Sequence, residues 1–425
     1  MSSTMHPTLA LAHGSVPDAP PTFGGLARQS AVVPSSALDA ADLPLGSMHR
    51  VVDQIGARSL WQQGITGAGI NVAVIDTGVA LVDGLVGEGK IVAAVDLSSE
   101  AGNPMTAMVD TNGHGTHMAG IIAGRGTGAD ATLAGAHPEW FLGVAPDAGI
   151  VSVKVGDRQG RVIPGAIAAA VDWVVDHADT YSIDVINLSV GSAATSVMRY
   201  GVDPLAAAVQ RAWDAGIVVV TAAGNLGPES DGLLTPANNP YVITVAGADV
   251  SETGIRAADW TSSGDGVRDP DLSAPGAHIQ SLRAPGSDAD VNHPTGYVDA
   301  RTFQGSGSSQ AAAVTAGAVA LLLSARPELT NDQVKALLTG TAAPMSDPSR
   351  VAGSGFIDVA SANAAPIPVV EQNFPRVETA RTLAVEIPVV ENIWNGVNWW
   401  GVNWWGVNWW GVNWWGVNWW GVNWW

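Results

Sequence analysis

The chain contains an aspartate, a histidine and a serine that could together activate a hydroxyl group. Each of them directly follows an apolar run or a glycine-rich loop. Asp76 follows a short run of apolar residues, His114 follows a glycine-rich loop, and Ser309 follows the loop sequence GSGS. A serine hydroxyl is a weak nucleophile until an adjacent base takes its proton, and histidine is the usual base. A buried carboxylate can hold the imidazole in the required tautomer and stabilise its cation. The three residues are therefore candidates for the orienting carboxylate, the base and the nucleophile of a catalytic serine site.

Two further features would stabilise negative charge on a reacting oxygen. Asn225 carries a neutral amide that can donate to an oxyanion. Ser309 stands at the expected start of a helix that is apolar on nearly every side, so this helix is predicted to be buried. The unpaired N–H groups and the dipole at such a start favour an anion. The alternatives without catalysis are a serine N-cap on a core helix and an asparagine turn after Gly224.

The segments around these residues alternate between apolar runs and helical patterns. Strands are expected at 72–75, 91–95, within 143–155, and at 183–190, 217–222 and 241–246, and helices at 48–63, 163–177, 204–214, 309–324 and 331–340. This alternation predicts an α/β fold, with a parallel sheet and helices on both faces. Ligand sites in such sheets lie beyond the carboxyl ends of the strands, where Asp76 and Asn225 are expected.

The composition excludes some classes of partner. The chain has 425 residues and a formal net charge of −20, which argues against nucleic acid because phosphate binding needs a basic surface. The chain contains no cysteine, so it forms neither a disulfide framework nor a thiolate metal site. No run of 18 apolar residues precedes residue 396, so no transmembrane helix is expected there.

The segments around four of these residues are similar to the signature segments of the subtilisin-like serine peptidases, or subtilases. Asp76 lies in VAVIDTGV, His114 in NGHGTHMAG, Asn225 in VTAAGN and Ser309 in GSSQAAAVTAG. The order Asp, His, Ser is also that family's order. The similarity covers residues 50–362 and implies a subtilisin-like fold and hydrolysis of peptide bonds through an acyl-enzyme.

The resemblance also implies a role for each residue. Ser309 would be the nucleophile, His114 the general base and then acid, and Asp76 the orienting carboxylate. The Asn225 side chain and the backbone N–H of Ser309 would form the oxyanion hole. Two segments would line the substrate cleft and the primary specificity pocket, and they comprise Ser189, Val190 and Gly191, and Ala222, Ala223 and Gly224.

Neighbouring residues of the same type compete for these roles. The resemblance favours His114 and Ser309, because they match the first His of H-G-T and the serine two positions after a glycine. The competing residues are His117, Ser306, Ser308 and Asp83. Without the resemblance, Asp76 also fits a strand-end cap and His114 a buried core histidine.

Some positions depart from the family's pattern. Ala313 stands where the family usually has proline, and Gln310 where many members have methionine. Residues 126–142 replace the compact calcium-binding loop that many members carry. The resemblance therefore allows calcium as a cofactor but identifies no ligands here, and it leaves cleavage specificity open.

The family resemblance and the composition together predict four regions. They are a flexible leader at 1–47, a subtilisin-like catalytic domain at 48–363, a linker at 364–395 and a repeat tail at 396–425. The tail repeats GVNWW six times and holds twelve of the 18 tryptophans. Five residues advance about 500° on an α-helix, so the Trp pairs would spread around it. In a strand, neighbouring tryptophans would point to opposite faces.

The tail therefore cannot hide its tryptophans by itself in either conformation. Each Trp can bury roughly 150–250 Å² against a partner. Our hypothesis is that the tail is an anchor, which either self-associates or binds the cell envelope. The alternative is a low-complexity segment without such a role.

We expect a serine endopeptidase that acts on protein or peptide substrates. The expected location is extracellular or on a bacterial cell surface, although the first residues lack the basic and apolar regions of a secretory signal. Two alternatives compete with this expectation. One is a binding or adhesion protein on a subtilase scaffold with little turnover, and the other is an intracellular maturation protease.

Overall fold

The structure is a computed structural model that describes residues 39–376, except residues 104, 107, 164, 192–202 and 231. The chain divides into the units Met1–Ala37 and Leu38–Trp425, and every described residue lies in the second. The predicted repeat tail, residues 1–38 of the predicted leader and residues 377–395 of the predicted linker lie outside the described residues.

Short strands and helices alternate along the described chain. The strands are β1 Asn71–Asp76, β2 Ile91–Asp96, β3 Gly149–Lys154, β4 Ile183–Leu188, β5 Val218–Ala222, β6 Ile243–Ser251, β7 Gly254–Ala257, β8 Leu272–Pro275, β9 Ile279–Leu282 and β10 Thr302–Gly305. The helices are α1 Met48–Gln54, α2 Ala57–Trp61, α3 His114–Ala123, α4 Ala166–Tyr181, α5 Pro204–Asp214, α6 Asp288–Asn292, α7 Ser308–Ala325, α8 Asn331–Gly340, α9 Ser349–Ala352 and α10 Val359–Ala364.

The main sheet contains six parallel strands in the order β2-β3-β1-β4-β5-β6. Beyond this row, β8 pairs with β6 in parallel and β7 pairs with β6 in antiparallel orientation, while β9 and β10 form a separate antiparallel pair. All residues of β3 and β5 are buried, as expected for strands covered on both faces. The predicted α/β fold, a parallel sheet with helices on both faces, is confirmed.

Helix α7 is the central helix of the domain. It packs against β4, β5, β6 and α3. Among the described residues it is the one helix with the length and hydropathy of a membrane span, but 89% of that window is buried inside the protein. Its apolar character is therefore explained by its position in the core. On the sheet, α4 and α5 form a second packed pair that contacts β1, β4 and β5.

The structure differs from the sequence-based expectations at several element boundaries. The predicted helix 48–63 is broken into α1 and α2 at Gly56, whose φ of 76° lies in the left-handed region that glycine tolerates. The strand expected at 241–246 continues to Ser251 because its later residues pair with β7 and β8. Strand β8, Leu272–Pro275, is absent from the predicted strands.

Two segments next to the predicted domain boundaries belong to the described fold. Gln280 donates its backbone N–H to Gly46 O at 2.8 Å, which ties the end of the predicted leader to β9. On the other side, the hydroxyl of Tyr241 donates to Phe374 O at 2.7 Å, and Gln372 N donates to Asp332 Oδ2 at 2.9 Å. The packed structure therefore extends beyond residues 48–363 in both directions.

Candidate active site

The register of the sheet brings three candidate segments to one edge. Ile75 of β1 pairs with Leu188 of β4, and Leu188 pairs with Thr221 of β5. The residues that follow these positions, Asp76, Ser189 and Ala222, therefore lie beside one another at the carboxyl ends of adjacent strands. A parallel sheet places ligand sites at this edge.

Asp76 and His114 form a direct buried contact. Nδ1 of His114 lies 2.7 Å from Oδ1 and 2.8 Å from Oδ2 of Asp76, and both side chains are fully buried. An ionised carboxylate can only accept hydrogen bonds, so Nδ1 carries the proton in the neutral ring. Nε2 is then the nitrogen that can take a proton from a substrate or a nucleophile.

The loops that carry this pair are joined by Thr77 and Asp110. Thr77 N donates to Asp76 Oδ1 at 2.7 Å, and Thr77 Oγ1 donates to Asp110 Oδ1 at 2.8 Å. The carboxylate of Asp110 also accepts from Gly113 N at 2.7 Å and from Thr116 N at 2.8 Å, at the start of α3. Burial raises the pKa of Asp110, while hydrogen bonds from Thr116 and Gly113 and the Lys154 charge act in the opposite direction.

A glycine permits the close approach of α3 to this loop. The Cα of Gly115 faces the carbonyl oxygen of Gly78, and a Cβ at position 115 would overlap that oxygen. Any larger residue at 115 would push the start of α3 away from the end of β1. Gly115, the glycine of H-G-T, is therefore required for steric reasons.

Ser308 and Asn225 form a second hydrogen-bonded pair, at the start of α7. Ser308 N donates to Asn225 Oδ1 at 2.9 Å, and Ser308 Oγ donates to the same oxygen at 3.0 Å. A backbone N–H can only donate, so the oxygen of the amide must face Ser308. The Nδ2 group then faces Gly307, where an added Cβ would lie 3.1 Å from it. The amide is thus fixed with its donor group toward the loop that precedes Ser309.

The predicted cleft segments contact the serines of α7. Ser309 Oγ lies 3.4 Å from Ser189 O, and Gly224 N donates to Ser308 Oγ at 3.0 Å. Val190 and Gly191 follow Ser189 directly, and Ala222 and Ala223 precede Gly224. Helices α3 and α7, which begin near His114 and Ser309, also pack against each other. The structure therefore gathers the predicted site residues into one region.

Three of the competing residues, His117, Ser306 and Asp83, form other contacts. His117 Nε2 lies 3.0 Å from Phe303 O in β10, and burial, together with nearby His114, lowers the pKa of His117 to about 3. Ser306 Oγ accepts from His278 N at 2.7 Å. Asp83 is exposed and forms an ion pair with Arg301 at 2.8 Å. Each of these contacts supports a structural role for the competing residue.

Three residues of the site were not identified from the sequence. They are Thr77, Asp110 and Lys154. Lys154 ends β3 opposite Asp76, and its Nζ donates to Thr77 O at 2.8 Å and lies 3.1 Å from Glu100 Oε2. The sequence DTNG before α3 is a capping pattern that would have indicated Asp110, but no local pattern points to Thr77 or Lys154.

No metal site emerges from the carboxylates and histidines of the described residues. In that part of the chain, no three or more His, Cys, Asp or Glu side chains are grouped to hold a metal ion. Within 126–142, the carboxylate of Asp130 instead caps the short 3-10 helix Ala131–Ala136, where it accepts from Thr132 N at 2.9 Å. Neither observation identifies, among the described residues, ligands for the calcium that the resemblance allowed.

The fold agrees with comparisons to known proteins. A family model described as the subtilase family matches residues 67–356. Serine protease AprX of Bacillus subtilis (strain 168) is 36% identical over 307 residues, which cover 70% of this chain and 66% of AprX. Subtilisin E of the same organism is 33% identical over 313 residues, covering 73% of this chain and 70% of subtilisin E.

A solved structure is also similar. Fervidolysin from Fervidobacterium pennivorans, described as a keratinolytic enzyme related to subtilisin, matches with a TM-score of 0.56 and 26% identity. The match covers 75% of this chain and 46% of fervidolysin, so it spans less than half of that protein's length. The family match spans most of the described fold and includes all four signature segments, and the chain belongs to the subtilase family.

Proposed function

We propose that the chain is a serine endopeptidase that hydrolyses peptide bonds through an acyl-enzyme. The observation that carries the proposal is the buried contact between His114 Nδ1 and the Asp76 carboxylate, at 2.7 and 2.8 Å. A neutral imidazole held in this way presents Nε2 as a base. Family membership supports the same reaction.

In the proposed reaction, Ser309 Oγ attacks the carbonyl carbon of the substrate while His114 Nε2 takes the hydroxyl proton. Asp76 stabilises the imidazolium that forms and does not itself take the proton. The oxyanion accepts hydrogen bonds from Asn225 Nδ2 and from the backbone N–H of Ser309. His114 then gives its proton to the leaving amine, and water hydrolyses the acyl-enzyme by the same steps.

The proposed substrate cleft is assigned from the residues that follow two strands beside Ser309. We propose that residues 189–191 and 222–224 bind the substrate, because Ser189 and Gly224 contact Ser309 and Ser308 directly. A protein or peptide chain is the class of substrate that fits this assignment. The competing function, adhesion on an inactive scaffold, would not require the Asp76–His114 pair or the oriented Asn225 amide.

We further propose that the enzyme acts outside the cell or on the cell surface, with the GVNWW repeats as its anchor. Twelve tryptophans without any charged residue between them favour association with a surface or with each other. An intracellular maturation protease remains the competing assignment, and it would have no use for an envelope-binding tail.

Replacement of the two adjacent serines tests the nucleophile. We expect Ser309→Ala to abolish hydrolysis of a small peptide and labelling by a fluorophosphonate. Ser308→Ala is expected to keep both, with kcat lowered by less than about 10²-fold, because Asn225 loses one of its two donors but keeps the other. Circular dichroism of both variants controls for folding. Labelling of a folded Ser309→Ala variant would show that another residue is the nucleophile.

The pH dependence tests the base. The proposed base must be neutral to take a proton, so we expect kcat/KM to fall on acidification, because a protonated imidazole can no longer accept the hydroxyl proton. Two other histidines are expected to contribute little to this fall, because burial lowers the pKa of His117 to about 3 and that of His293 to about 4. A profile that stays level down to pH 4 would remove His114 from this role.

Removal of the repeats tests the anchor. Truncation after Asn395 removes only the six GVNWW repeats and leaves the contacts of residues 372–376 with the domain intact. The truncated protein is expected to keep its kcat on a small peptide, to be more soluble and to lose binding to cell-envelope fragments. Full-length Ser309→Ala serves as a control in which the envelope fragments cannot be digested during the assay, and equal envelope binding with and without repeats would disprove the anchor.

A further inference from the structure

The first turn of α3 is held entirely by residues outside the helix. Its N-cap residue, Gly113, has no side chain to cap it. Instead, His114 N donates to Asn112 Oδ1 at 3.3 Å, Gly115 N to Thr77 Oγ1 at 2.9 Å, and Thr116 N to Asp110 Oδ2 at 2.8 Å. The helix that presents His114 is therefore positioned by the loop before it and by the residue after Asp76.

Asp110 is the centre of this arrangement. Only 3% of the residue is exposed. Its Oδ1 accepts from Thr77 Oγ1, Asn112 N and Gly113 N at 2.8, 3.1 and 2.7 Å. Its Oδ2 accepts from Thr116 N at 2.8 Å and from Thr116 Oγ1 at 2.6 Å. Each carboxylate oxygen thus faces at least one backbone N–H, which can only donate.

Thr77 connects Asp110 to Asp76, the carboxylate of the proposed triad. Its N–H donates to Asp76 Oδ1 at 2.7 Å, while its hydroxyl donates to Asp110 and accepts from Gly115 N. Asp110 thereby holds β1 through Thr77 and holds α3 through Gly113 and Thr116. The two elements that it joins are those that carry Asp76 and His114.

We propose that Asp110 is a positioning residue, which fixes the distance and orientation between the Asp76 carboxylate and the His114 ring. This inference rests on the proposed function. An asparagine at 110 would replace one carboxylate oxygen by an NH₂ group that faces an N–H donor. The start of α3 would then shift relative to β1, and small misplacements of reacting groups can cost on the order of 10²-fold in rate.

If the role of Asp110 were only structural, this residue would be an ordinary helix cap. Another buried capping aspartate, Asp203, provides a control for this possibility. Asp203 is also 3% exposed and caps α5, where its Oδ1 accepts from Leu205 N at 2.9 Å. Helix α5 carries none of the proposed catalytic residues. Asp203→Ala therefore removes a buried cap without touching the link between β1 and α3.

The experiment compares Asp110→Asn with Asp203→Ala in the full chain. Unfolding midpoints, kcat and KM on a small peptide, and the rate of fluorophosphonate labelling are measured, with rates normalised to the folded fraction. We expect both variants to lose stability. Only Asp110→Asn is expected to lose about 10- to 100-fold in kcat and in labelling rate, with KM within a factor of about two.

Thr77→Val provides a second variant in case Asp110→Asn does not fold. It keeps the shape of the side chain but removes the hydroxyl that links Asp110 to the end of β1. We expect its kcat to fall at least about 5-fold with little change in KM, and, where both variants fold, the double variant to be no slower than the slower single variant.

The outcomes separate this inference from the proposed function. If the wild-type protein hydrolyses and labels but Asp110→Asn behaves like Asp203→Ala, or if Thr77→Val keeps full kcat, then the positioning role is wrong and the peptidase assignment stands. If the folded wild-type protein neither hydrolyses peptides nor labels, the proposed function itself is wrong, and this inference fails with it.

Discussion

The buried pairing of Asp76 with His114 is the constraint on which the arrangement of the site depends. Both side chains are removed from water, and a charged or polar group in such a place is costly unless it is paired. The pairing requires the end of β1 and the start of α3 to meet closely. Gly115 permits that approach, and Thr77, Asp110 and Lys154 hold the connecting loops with side-chain hydrogen bonds. The local fold is thus organised to keep one carboxylate against one imidazole.

The other half of the site depends on the start of α7. This helix is buried through the core of the domain, so its first residues have fixed positions relative to β4 and β5. Ser308 uses both its N–H and its hydroxyl to orient Asn225, and the next residue is Ser309. The amide of Asn225, which follows β5, is therefore held against the first turn of α7, which carries the hydroxyl. Such preorganised donors are the most effective means of stabilising an oxyanion.

Much of the fold was predictable from the sequence because its signals are local. Helix α5 begins at Pro204, after Asp203, and α8 carries the capping box of Thr330 and Gln333, and both helices have the predicted bounds. The positions of the proposed catalytic residues at strand and helix ends also followed from the pattern. The role of Asp110 did not, because its partner Thr77 lies 33 residues away and only the folded chain brings them together. The break at Gly56 was missed because the apolar pattern continues across it.

The most direct measurement of the central claim is the proton NMR spectrum of the hydrogen bond between Asp76 and His114. A buried imidazole N–H held against a carboxylate gives a resonance far downfield of the amide protons. We expect the folded wild-type protein to show this signal and Asp76→Asn to lose it, while Ser309→Ala retains it. A folded wild-type protein without the signal, or an Asp76→Asn variant that keeps it unchanged, would contradict the account.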